Sequence, residues 1–280
     1  MTCLQIDILS VTIQVCSNST AVLTKLKELL GFFTVHDLAD PEARSARVLF
    51  EAQLNQGNCS LYRNGKLTLE TDHLAYFIAS LEFKIFEEVL SLEKEHLLLH
   101  AGALTFEGKG LIFPAAKGAG KSTLVAGLLS HGFMYCSDEP AAINFQSRKL
   151  IPLPRVIHIK DTSPLDRSIA EGSLSMAAYD DGPSDYPARY ALVGQDRVVR
   201  RPVELACILF PHYKPGGRAK LTPLRGSQTA VRLARQALNL AEQLERGFDL
   251  TATIASDKPA YQLEFNSLPE AAELICNIMV

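Results

Sequence analysis

No C-x-x-C pair occurs in this chain, and no cysteine and histidine spacing of the zinc-binding kind. The six cysteines, Cys3, Cys16, Cys59, Cys136, Cys207 and Cys276, are scattered. A chain of 280 residues can bury a core without staples, so free thiols in a reducing cytosol are expected. There is no basic excess. The formal net charge is -3, which speaks against a nucleic acid partner. No basic segment followed by an apolar run opens the sequence, so no signal peptide is expected. No long uncharged apolar run is present either. The most apolar helical stretch, Leu74 to Leu90, carries Glu82, Lys84, Glu87 and Glu88, which excludes a plain membrane span. Internal repeats and low-complexity tracts are missing. What remains is an ordinary globular composition, 47% hydrophobic and 21% charged, expected in the cytoplasm as one large domain or two small ones.

The first part of the chain reads as a small α+β domain over residues 1–96. Leu4, Ile6 and Ile8 alternate as in a strand. Ser19 to Leu30 has the periodicity of a helix that Gly31 can end. Arg47 to Leu54 reads as a strand. Ser60 to Glu70 reads as a hairpin, because Asn64-Gly65 supplies the two positive-φ residues of a tight turn. Asp72 can cap a long helix whose apolar face holds Leu74, Phe77, Ile78, Leu81, Ile85 and Val89.

Residues 97–280 change character. Leu97 to Phe106 and Gly110 to Pro114 read as apolar strands. Further strands are expected near Phe133 to Cys136, Ala141 to Phe145, Leu150 to Lys160 and Leu205 to Phe210. Asp161 to Asp196 is polar and turn-rich, and reads either as a surface excursion or as a lid or substrate-binding segment. A single helix is expected from Ser227 to Arg246, capped by Ser227 and closed by Gly247. The last helix opens at Ser267-Leu268-Pro269-Glu270, a capping box.

Between the strand Gly110 to Pro114 and a helix from Lys121 lies Ala115-Ala116-Lys117-Gly118-Ala119-Gly120-Lys121-Ser122. Strand, glycine-rich turn and helix form the context of a phosphate-binding loop. Gly118 and Gly120 let the backbone curl so that successive N–H groups face phosphate oxygens, and the helix N-terminus adds positive charge. Ala116, Lys117, Gly118, Ala119, Gly120, Lys121, Ser122 and Thr123 are therefore the candidate nucleotide contacts. Lys121 should bridge the β- and γ-phosphates, and the Ser122 hydroxyl should ligate Mg2+. Ala115 stands where the motif normally has glycine, which requires a negative φ or a more open loop.

Ser137-Asp138-Glu139 ends the strand after that helix. One carboxylate there can hold Mg2+, and the other can take the proton of an attacking hydroxyl. His100, in the apolar run Leu97 to Gly102, reads on its own as a hydrogen-bonded core histidine. No Asn-Lys-x-Asp guanine signature is present, which argues against a GTPase switch.

The stretch from His100 to Asn144 resembles the catalytic domain of HPr kinase/phosphorylase and its kinase relatives, a fold akin to phosphoenolpyruvate carboxykinase. The residues carrying the likeness are His100-Ala101-Gly102-Ala103, Gly110-Leu111-Ile112-Phe113, Gly118-Ala119-Gly120-Lys121-Ser122, His131-Gly132 and Ser137-Asp138-Glu139. The first part looks more like divergent HPr-kinase-related proteins, including kinases of lasso peptide precursors. The resemblance implies a phosphate-loop domain with a mixed sheet, Asp138 as proton acceptor, Glu139 as metal ligand in place of a second aspartate, and His100 close to the phosphates. The family's Glu-Ile-Arg-Gly signature is absent. Arg155-Val156-Ile157-His158-Ile159-Lys160 stands near its place, so Arg155 and Lys160 become candidate substrate contacts and HPr is an unsuitable substrate.

The expected function is an ATP- and Mg2+-dependent kinase acting on a hydroxyl. The acceptor is a serine of a peptide or protein, such as a ribosomal peptide precursor, or a free hydroxy amino acid. The alternative is a nucleotide-binding module without phosphotransfer. Neither membrane nor nucleic acid is expected as a partner, and a homo-oligomer is compatible with the sequence.

Overall fold

The computed structural model describes all residues except 39–45, 117, 160–173, 180–187 and 280, and it places only the backbone of 158–159, 175–179 and 188–190. It is a mixed α/β protein whose chain divides into two compact units. The first is built on Met1–Glu93 and also takes in the backbone of 158–159, 177–179 and 188–190; the second is built on Lys94–Ile157, 174–176 and Ala191–Val280.

In the first unit, strands β1 (Thr2–Ile8) and β2 (Val11–Ser17) are followed by helix α1 (Thr20–Leu29), then by β3 (Thr34–Leu38), β4 (Val48–Asn55), β5 (Asn58–Arg63), β6 (Lys66–Thr71) and helix α2 (Leu74–Leu92). The strands form one sheet in the order β3-β1-β2-β4-β5-β6, parallel only between β2 and β4. Ser19 Oγ accepts the Val22 N–H at 3.4 Å and so caps α1. Asn64 and Gly65 take φ of 48° and 80°, as the β5–β6 turn requires. Asp72 does not cap α2. His73 holds the cap position without a side-chain bond.

The expectation of six free thiols fails here. Cys3 and Cys16 are joined by a disulfide because the hairpin register sets them directly opposite, with Cα atoms 4.0 Å apart. Sequence spacing carries no sign of a pairing that depends on strand register. Cys136, Cys207 and Cys276 are free thiols, and Cys59 takes part in no disulfide.

The second unit contains β7 (His96–Leu99), β8 (Ala101–Phe106), β9 (Lys109–Pro114), α3 (Lys121–Leu129), β10 (Met134–Ser137), β11 (Ala141–Asn144) and β12 (Leu150–Ile151). The chain continues through β13 (Ile157–Ile159), β14 (Leu174–Tyr179) and β15 (Ala188–Val193), which pair in the order β13-β15-β14. It ends with β16 (Leu205–Tyr213), β17 (Lys220–Pro223), α4 (Gly226–Gln236), α5 (Leu244–Asp257), β18 (Ala260–Phe265) and α6 (Leu268–Met279). The main sheet runs β10-β8-β9-β16-β18-β17, with β9, β16 and β18 mutually parallel. A separate antiparallel sheet has the order β12-β11-β7.

Four expectations are corrected in this unit. His100 is not inside a strand. It is the bend between β7, which pairs with β11, and β8, which pairs with β9 and β10. The helix expected over 227–246 is two helices. After Gln236 the chain leaves the helix and pairs with the β7 edge, through His100 N–H to Gln236 O at 2.7 Å and Leu238 N–H to Leu98 O at 2.7 Å. Asn239 reinforces this, accepting from Leu98 N–H and donating to His96 O. Gly247 accordingly sits within α5, packed beside Leu240 and Leu97. The strand expected over 150–160 is two short strands, β12 and β13, and the described part of 161–196 contains β14 and β15.

Gly102 fixes how closely α3 lies on β8. A Cβ there would come within 2.5 Å of Val125 Cγ2, and Val125 is fully buried and β-branched. Gly102→Ala is expected to destabilise the protein by about 1–3 kcal/mol, as overpacking does. A thermal melt checks this, and an unchanged midpoint would show that α3 shifts freely.

Candidate functional site

The loop between β9 and α3 takes the shape its glycines dictate. Gly118 and Gly120 adopt φ of 89° and 86°, a region costly for other residues. Gly120 is also the residue before α3, and no side chain caps that helix end. The first turn of α3 therefore keeps its N–H groups for an outside acceptor. Ala115 is buried and is not among the residues with positive φ, so its methyl group is accommodated without strain. Ala116 and Gly118 are exposed, Ala119 donates to Ala116 O at 3.2 Å, and Thr123 is half-buried in α3. Lys117 lies outside the described residues, as does Lys160.

Lys121 is only 7% exposed, so its charge needs polar neighbours. Its ammonium donates to Ala115 O at 3.0 Å, lies 3.0 Å from His100 Nε2, and lies 3.6 Å from Glu139 Oε2. His100 Nε2 is also 2.9 Å from Glu139 Oε2. The other ring nitrogen of His100, Nδ1, sits 3.2 Å from Gln236 Oε1. Burial pushes the Glu139 carboxyl up, but the hydrogen bond to His100 and the charges of His100, Lys121 and Arg155 outweigh it and hold it below its ordinary value.

Asp138 has a different environment. It is placed by a bulge in β10 between Tyr135 and Ser137, which re-aims the strand end. Its backbone N–H donates to the Tyr135 hydroxyl at 2.8 Å, and that hydroxyl donates to Arg155 O at 2.7 Å. Ser122 Oγ donates to Asp138 Oδ2 at 2.9 Å. Asp138 Oδ1 and Ser137 Oγ are buried and make no hydrogen bond among the described residues. Burial pushes the Asp138 carboxyl up to about 6. The Ser122 hydrogen bond and the charges of Lys121 and Arg155 oppose the shift, and Glu139 adds to it.

The structure thus gathers His100, Lys121, Ser122, Asp138 and Glu139 into one cluster. Arg155 joins it, donating to Glu139 O at 3.4 Å. Sequence reading missed two contributors, Gln236 and Tyr135. Tyr135 sits two residues before Ser137 in a run already seen as a strand, but nothing local marks its hydroxyl. Gln236 reaches His100 only because the predicted helix is broken.

A magnesium-bound phosphate suits this donor set. A hydroxyl, a buried carboxylate with one uncommitted oxygen, a lysine and an uncapped helix end stand together. Among the described residues no group of three or more His, Cys, Asp or Glu side chains gathers into an all-protein metal site. Magnesium in phosphate loops typically takes few protein ligands, the rest being phosphate and water. No described helix is long and apolar enough to cross a membrane. Compared with known proteins, the chain matches no family and no curated relative.

Proposed function

We propose that this protein is an ATP- and Mg2+-dependent kinase of the HPr kinase type, acting on a serine hydroxyl of a peptide or protein or on a free hydroxy amino acid. The observation that carries this reading is the pair of differently held carboxylates beside one buried lysine. A module that only binds nucleotide needs Lys121 and Ser122. Magnesium would occupy one carboxylate in such a module too, but the module has no use for a second one held apart from it by His100 and Lys121.

In this reading Lys121 and the N–H groups of the 116–123 loop hold the phosphates. Ser122 and one carboxylate hold Mg2+, which when bound neutralises charge on the phosphate oxygens. Asp138 Oδ1 accepts the proton of the attacking hydroxyl. Glu139 and His100 keep Lys121 in place and stand by as the second acid–base pair.

Incubation with γ-labelled ATP, Mg2+ and serine-containing peptides, proteins or free serine tests the proposal. Label is expected on the hydroxyl acceptor. Label that stays on the nucleotide with every acceptor would replace the kinase with the binding-module reading.

A further inference from the structure

We propose that Tyr213, braced by Phe265, is the stacking platform for the purine base of the triphosphate. The inference rests on the nucleotide-binding reading of the 115–123 loop and extends it to the part of the ligand that phosphate contacts cannot recognise.

The topology supplies the first argument. Strands β9, β16 and β18 run parallel, so their carboxyl ends open on one edge of the sheet, the edge where such sheets bind ligands. Ile208 of β16 is level with Ile112 of β9. Beyond that level β9 has two more residues before it gives way to the loop, whereas β16 runs on for five, to Tyr213. Its last side chain is therefore carried up beside the loop.

Close contact supplies the second. A Cβ built on Gly120 would lie 3.7 Å from Phe265 Cζ and 3.9 Å from Tyr213 Cβ. Both aromatic residues thus flank the residue that precedes Lys121. Their rings meet edge to face, with centroids 5.8 Å apart and planes at 74°. The Lys214 N–H donates to Phe265 O at 2.8 Å and ties the two strand ends together. Phe265 is buried, while Tyr213 is 51% exposed. An isolated exposed aromatic means little. This one is held in orientation by a buried partner and abuts the phosphate loop.

The sheet order supplies the third. The acidic residues Asp138 and Glu139 follow β10, on the β8 side of β9. That side takes the metal and the hydroxyl acceptor. The β16 and β18 side is left for the nucleoside. An aromatic face stacks on any base, and a purine offers the larger surface.

Calorimetric titration of the parent, Tyr213→Ala and Tyr213→Phe with magnesium ATP and with magnesium tripolyphosphate tests the proposal. The parent should bind ATP about tenfold or more tighter than tripolyphosphate, the advantage expected of one stacked base. Tyr213→Ala should lose that advantage with tripolyphosphate affinity unchanged, and Tyr213→Phe should keep it. Parental ATP affinity in Tyr213→Ala overturns the platform while leaving the phosphate loop standing. An equal loss for both ligands also overturns it, by assigning Tyr213 to support of the loop. A parent that binds neither ligand removes the nucleotide-binding reading, and the platform with it.

Discussion

Lys121→Ala is expected to lower the affinity for magnesium ATP by about 100-fold or more, the usual consequence of removing one partner of a desolvated charge contact. Lys121 is the buried cation of the cluster, 7% exposed and ringed by Ala115 O, His100 Nε2 and Glu139 Oε2. These contacts are polar, and the alanine leaves α3 its helical backbone. The fold should survive. Calorimetry reads the affinity, and circular dichroism with a thermal melt reads the fold. Equal affinity in a folded variant would remove the phosphate loop from the binding site.

Asp138→Asn is expected to slow phosphoryl transfer by roughly 100-fold or more, the contribution of a positioned general base. The asparagine keeps the size of the side chain and an oxygen for the Ser122 hydroxyl, but it cannot take a proton. Nucleotide affinity should change far less. Glu139→Gln should instead loosen Lys121 and His100, and so weaken binding of the magnesium nucleotide. Transfer at the parental rate by Asp138→Asn would place the base elsewhere.

The same substitution has a pH signature in the ligand-free protein. The Asp138 carboxyl is raised from 3.8 to about 6, chiefly by burial. The folded state therefore binds this proton more tightly than the unfolded state does. The stability Asp138 contributes is fully present below about pH 4 and is lost as pH rises through about 6. An asparagine never ionises, so the variant escapes that loss. It should match the parent below pH 4 and exceed it above pH 6 by about 2–3 kcal/mol. Denaturant unfolding at pH 4 and pH 8, without metal or nucleotide, measures the difference. A variant less stable than the parent at pH 8 would contradict the burial penalty.

Where a structural cause acts within a few residues, the sequence was sufficient. Gly118 and Gly120 prescribe left-handed backbone, and the strand before them with the helix after them completes the loop. Asn64-Gly65 prescribes its hairpin in the same way, and Ser19 prescribes its cap. The adjacency of Lys121 and Ser122, and of Asp138 and Glu139, was likewise written in the chain.

What joins these pieces was decided elsewhere. Asp138 and Glu139 are neighbours in sequence, yet one is tied to Ser122 and the other to His100 and Lys121. The disulfide between Cys3 and Cys16 follows from hairpin register, which no spacing rule reveals. His100 meets Gln236 across 136 residues because a helix that looks continuous surrenders its backbone to the edge of β7. Local patterns such as glycines, caps and periodicity set conformation over a turn or a strand. Which strand edge is open, and which distant segment fills it, depends on satisfying backbone hydrogen bonds across the whole fold.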